Sequence, residues 1–204
     1  MRIPFGSVGG CAQPCGGALV VVWGILCLWS LVQYAMLFNA FVVVVTVVLM
    51  EVFSIVAHKY VMHGFGWGWH KSHHEPRTGW FEKNDLYAVV FAGIAILLIW
   101  LGTEGHHPLE WIGAGMTAYG LLYFIAHDGL VHQRWPFRYV PKRGYLKRLY
   151  QAHRMHHAVQ GKEGTVSFGF LYAPSVDKLK RQLHALHGGA PQRRPDAARG
   201  RERA

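Results

Sequence analysis

The sequence predicts an all-α integral membrane protein, with about four transmembrane helices and a cytoplasmic helical cap that holds a histidine-rich two-metal site. Three observations carry this expectation. Residues 17–57 contain a single charge, Glu51, in a run of 41, where about 20 apolar residues suffice to cross a bilayer. Two further apolar runs follow at 86–101 and 111–126. Ten of the fourteen histidines fall into two copies of one spacing, His-x4-His followed by His-x2-His-His, and each copy begins where an apolar run ends.

In chain order, residues 1–16 are Gly-rich with Arg2 as their one charge, and read as a short tail. The 41-residue run accommodates two crossings, 18–38 and 40–57, with a break at Asn39. Its first half is too long for the apolar core of a signal peptide and lacks a clear cleavage site. Runs 86–101 and 111–126 supply the third and fourth crossings, each short enough to need tilt or a thinned bilayer. Residues 58–85 carry Lys59, Lys71, Arg77 and Lys83, whereas 102–110 carry Glu104 and Glu110 without Lys or Arg. The positive-inside rule places both chain ends and 58–85 in the cytoplasm. Two crossings separate the two histidine groups, so both emerge on one face. Beyond His157, residues 166–173 suit a strand or interfacial segment, and 176–187 a basic amphipathic helix. Residues 1–187 form one domain, and 188–204, rich in Arg, Pro, Gly and Ala, a disordered basic tail.

Charge is divided as sharply as hydropathy. From His127 onward 16 Lys/Arg face 5 Asp/Glu, a net +11, which leaves −1 on the first 126 residues. Attached to apolar spans, such a basic half marks a cytoplasmic face and anionic lipid rather than nucleic acid. The three cysteines, Cys11, Cys15 and Cys27, offer neither a disulfide scaffold nor a thiolate near the histidines.

On a helix, His-x2-His-His sets its members at 0°, about 300° and about 40°, one face within roughly 6 Å of rise. His-x4-His turns an α-helix by about 500° and leaves its rings about 140° apart; it needs either a cleft or a local irregularity of the helix. Gly64, Gly66 and Gly68 let the first helix end and the chain fold back. Ten imidazoles exceed one octahedral ion and suit two ions with five or six positions each; iron, zinc, copper and nickel all fit nitrogen ligands. The ligand set is His58, His63, His70, His73, His74, His127, His132, His153, His156 and His157. Glu51, seven residues before His58, and Glu75 and Asp128, each next to a histidine, are candidates to orient the rings by accepting a free N–H. Aromatics crowd these segments, as an interfacial belt and, for some, the lining of an apolar substrate path.

The stretches HKYVMHGFGWGWHKSHHEP, HDGLVHQRWP, HRMHHAV and EGTVSFGFLYAP resemble the bacterial β-carotene 3-hydroxylases, of the membrane-bound fatty acid hydroxylase superfamily. The resemblance covers about residues 45–175 and matches at all ten histidines. It implies a non-haem di-iron monooxygenase that uses O2 and electrons from a ferredoxin-type donor, with zinc an alternative metal on isolation. The substrate implied is β-carotene, hydroxylated at C3 of each β-ionone ring to β-cryptoxanthin and then zeaxanthin, in a bacterial inner membrane with the metal site and C-terminus towards the cytoplasm. The basic half would steer an acidic ferredoxin. Rival readings are a fatty acyl or sterol hydroxylase or desaturase of the same superfamily, a carotenoid ketolase, and a histidine-rich membrane metal transporter. The transporter is disfavoured because Glu51 is the main polar group inside the spans.

Overall fold

The computed structural model describes residues 16–77 and 79–188. The chain divides into two units, Met1–Ala40 and Phe41–Ala204. In the first, the described residues are helical from Gly16 onward. The expected tails 1–16 and 188–204 fall, but for Gly16 and Gly188, outside the described residues.

Helix α1 runs from Gly16 to Val56 without interruption, so the turn expected at Asn39 is absent and the spans 18–38 and 40–57 are one helix. Asn39 is a weak helix former, but no Pro or Gly adjoins it, and a tight reversal would strand backbone groups that lipid cannot satisfy. Among the described residues, three helices rather than four are long and apolar enough to cross a membrane: Val21–Phe65, Asp85–Thr103 and Leu109–Val131. The expectation that both chain ends share a face rested on the missing turn and goes with it. The histidine groups are unaffected, because two spans still separate them.

Within the second unit, α3 (Asp85–Thr103) and α4 (Leu109–Tyr123) form a hairpin. Glycines let α4 approach both neighbours closely. A Cβ on Gly113 would lie 2.7 Å from the Ala95 carbonyl of α3, and one on Gly115 2.6 Å from Thr46 of α1. Phe53 of α1 meets Phe91 of α3 edge to face at 5.7 Å. The outer faces stay apolar: Phe41, Val44, Val48, Val52, Val89, Ile96 and Trp100 are all exposed, as lipid contact requires.

Both histidine-bearing spans end in π-helix. Residues Ala57–Phe65 continue α1 in this form, and Phe124–Val131 continue α4, which lengthens the fourth apolar run to a full span. At Gly64 the backbone (φ −103°, ψ −124°) leaves the helical range, and the chain turns into α2 (Trp67–His74). Gly66 is needed at that turn, since the Tyr87 hydroxyl donates to its carbonyl at 2.9 Å and fills the space of a Cβ. Helix α2 stops at Glu75, whose extended backbone (ψ 159°) precedes Pro76. Two more helices complete this end of the spans, α5 (Gly144–His156) and α6 (Val176–Leu186). Their core joins Leu149, Ala152 and Leu179 with Ala126, Val166 and Ala173. Segment 166–173 is irregular, neither strand nor helix.

Candidate metal centre

The π segments resolve the awkward His-x4-His spacing. A π-helix closes i→i+5 hydrogen bonds, and the His132 N–H donates to the His127 carbonyl at 2.9 Å. Residues five apart thus share a face. The His58 and His63 ring centroids lie 5.3 Å apart, and those of His127 and His132 4.5 Å apart.

All ten expected histidines converge. His58, His63, His70 and His156 bring ligand nitrogens within 4.8 Å of one another, and so do His73, His127, His132 and His153. His74 joins the first group, its Nε2 3.3 Å from that of His70; His157 joins the second, its Nε2 3.0 Å from that of His153. The two remaining rings also face each other across the groups, with centroids 4.5 Å apart. Each group therefore has five imidazoles; the first is buried throughout, and in the second His132 and His157 are half-buried. In each His-x2-His-His triplet the first and third members stay with their own copy of the pattern, while the middle one, His73 or His156, crosses to the other.

The hydrogen bonding sets the ring tautomers. Nδ1–H donates from His58 to the Phe168 carbonyl (2.9 Å), from His63 to that of Lys162 (2.8 Å), from His74 to that of Val159 (3.1 Å) and from His156 to that of Val166 (3.0 Å). His70 donates to Asn84 Oδ1 (2.7 Å), His73 to Glu82 Oε2 (3.1 Å) and His127 to Asp128 Oδ1 (2.7 Å). A neutral ring with its proton on Nδ1 carries a lone pair on Nε2. Yet Nε2 faces Nε2 at 3.0 Å in His58/His70, 3.2 Å in His63/His156 and 3.0 Å in His73/His127. Lone pairs so opposed repel unless a cation lies between them. Ligand nitrogens about 2.1 Å from a common ion would sit roughly 3.0–3.4 Å apart at right or tetrahedral angles. The donor sets fit two metal ions.

Of the expected carboxylates, Asp128 contacts a histidine directly. Glu75 instead pairs with Lys71 at the surface (3.2 Å), turned outward because the helix ends there; Glu82 reaches His73. Glu51 hydrogen-bonds no histidine among the described residues. Its Oε1 accepts the N–H groups of Phe170 (3.1 Å), Leu171 (3.0 Å) and Tyr172 (2.7 Å), and its Oε2 the Tyr119 hydroxyl (2.8 Å). It thereby holds the loop whose Phe168 carbonyl orients His58 and whose Phe170 ring stacks on His58 at 5.0 Å. Gly169 leaves room for that carboxylate, since a Cβ there would lie 2.9 Å from Oε1.

Sequence reasoning missed Glu82, Asn84, Asp85 and Arg134. Arg134 contacts Asp85 (2.9 and 3.1 Å), Asp128 (3.0 Å) and Glu82 (3.3 Å), so one guanidinium braces both carboxylates that hold His73 and His127. Burial raises the Glu82 carboxyl above its ordinary value, against the pull of Arg134. The available signal was Asn84 and Asp85 at the start of the third apolar run; the orienting peptide carbonyls leave none.

Burial also keeps the rings neutral. It takes His70 from 6.5 down to about 3 and His74 to about 4, against opposing hydrogen bonds to Asn84 and the Val159 carbonyl. His73, His132, His153, His156 and His157 are lowered too, first by burial and then by neighbouring imidazoles. Such rings stay neutral when folded but protonate near 6.5 when unfolded. The stability they contribute is complete above pH 6.5 and is lost as pH falls towards 4, by up to about 1.4 kcal/mol per pH unit for each ring. Thermal unfolding of the metal-free protein in detergent should show Tm falling steeply between pH 7 and 5; a flat profile would contradict it.

The family model for fatty acid hydroxylases matches residues 42–181, and the chain belongs to that family. It is 68% identical over 166 residues to the β-carotene hydroxylase of Pantoea ananas, covering 81% of this chain and 95% of that one. Against the β-carotene hydroxylase of Paracoccus sp. (strain PC1) the identity is 62% over 143 residues, 70% of this chain and 88% of the relative. A chloroplastic β-carotene 3-hydroxylase of Arabidopsis thaliana is 40% identical over 129 residues, 61% of this chain and 41% of that one. No solved structure matches it.

Proposed function

We propose that this protein hydroxylates C3 of the β-ionone rings of β-carotene, giving β-cryptoxanthin and then zeaxanthin, with two non-haem irons, O2 and electrons from a ferredoxin-type donor. The observation that carries the reading is 68% identity to a β-carotene hydroxylase over a match that covers 81% of the chain. The ten histidines would hold the metals, five to each ion. Bound iron supplies the redox activation of O2 that an unactivated ring C–H demands and that acid–base side chains do not provide.

The chain's own residues account for the rest. Glu82, Asn84, Asp128 and the four peptide carbonyls hold the Nδ1–H of seven of the ten rings, so that Nε2 stays a lone-pair donor directed inward. Phe170 contacts His58 of one group and His127 of the other, with centroids at 5.0 and 5.2 Å. Tyr123 stacks on His127 at 4.5 Å. These rings form an apolar wall that would exclude water and bear on a hydrocarbon ring. The spans deliver substrate from lipid, and the positive charge of 58–85 and of the chain beyond His127 favours a cytoplasmic metal site in a bacterial inner membrane, open to a soluble donor.

Pigment chromatography with mass detection, after expression in cells that accumulate β-carotene, tests this. Zeaxanthin with β-cryptoxanthin is expected. Unchanged β-carotene, with the protein in membranes and ferredoxin supplied, would overturn the substrate assignment.

A further inference from the structure

We propose that the two metal sites are unequal, and that the site built from His73, His127, His132, His153 and His157 binds a divalent cation more tightly than its partner. This rests on the two-metal reading above and goes beyond it, to what lies behind the rings.

The other site is backed by neutral groups. His58, His63, His74 and His156 donate Nδ1–H to peptide carbonyls, and His70 donates to the Asn84 amide. In the favoured site, His73 and His127 donate to carboxylates, Glu82 and Asp128. A carboxylate behind a ligating imidazole draws its proton outward and makes Nε2 the stronger donor. Asp85 adds a third carboxylate through Arg134 and through the Glu82 N–H, which it accepts at 2.9 Å. Arg134 answers one of the three negative charges, and Arg77 lies 4.0 Å from Glu82 at the rim. Negative charge remains in excess beside this site, in a half-buried setting where it is weakly screened, and none of it bears on an Nδ1–H of the other. Arg134 also fixes the carboxylates in place, so the charge is directed at the rings.

The test uses full-length protein in detergent, stripped with a chelator and titrated with Co(II), followed by its absorption bands and by calorimetry. Two ions per chain are expected to bind in two resolved steps. Glu82→Gln and Asp128→Asn keep an oxygen that accepts the same Nδ1–H but remove the charge. Each should weaken the tighter step about 10- to 100-fold and leave the weaker step in place. Asn84→Asp puts a carboxylate behind His70 and should tighten the weaker step, narrowing the gap; lost packing would not produce that gain. Two equal steps in the parent protein, or a weaker step that moves with Glu82→Gln, would overturn the inequality while leaving two metals per chain. Failure to bind any Co(II) would overturn the two-metal reading itself.

Discussion

His70→Ala/His73→Ala is expected to lose both ions and His73→Ala/His127→Ala only one, with more than about 100-fold loss of hydroxylated product in each. The histidines of the first pair are three residues apart on α2 but belong to different groups; those of the second lie 54 residues apart, their Nε2 atoms 3.0 Å from each other. Metal content per purified chain and product chromatography read the two effects. The single variant His156→Ala should likewise remove the ion that α1 and α2 otherwise hold. His106 and His184, both exposed, serve as controls that keep metal and activity. One ion retained by His70→Ala/His73→Ala would sink the assignment of the middle histidines to opposite sites.

Glu51→Leu is expected to be the most damaging change outside the ten rings. The Tyr119 hydroxyl would keep the Ser54 hydroxyl as a partner, but the N–H groups of Phe170, Leu171 and Tyr172 would be left without their acceptor, at about 1–3 kcal/mol for each group left unsatisfied. Lipid offers no water to replace it. The loop would shift, taking with it the carbonyl that orients His58, so activity should fall with stability. Glu51→Gln keeps one carbonyl oxygen for the three N–H groups and turns its amide to the tyrosine oxygen, and should recover most of both. Thermal unfolding in detergent beside product yield decides it, and a Leu variant as stable as the parent would contradict the role.

The histidine centre was legible because a metal needs specific atoms from specific side chains, and a repeated spacing records that need. The mixing of the two copies was not, since the angular positions of an ideal helix do not say which ring of a triplet crosses over. The π segments were visible only as a misfit of about 140° in the His-x4-His pair. The break at Asn39 failed for the opposite reason. Counting apolar residues against bilayer thickness is a statement about solvent, and nothing in the local sequence there stops a helix. Glu51 stood out as a charge within an apolar run, but its partners are backbone N–H groups some 120 residues away. Glu82 and Arg134 lie in polar loops where any charge reads as solvated, so no pattern could single them out.

The exchange of His73 and His156 between groups has a consequence for how the protein is made. On the ligand set proposed here, each ion requires at least one imidazole from α5, so one site is incomplete on a nascent chain until His156 has left the ribosome and the other until His157 has. By then all three spans have been handed to the membrane. Metal loading and membrane insertion would thereby be separated in time, and a chain truncated before α5 would sit in the bilayer without sequestering metal.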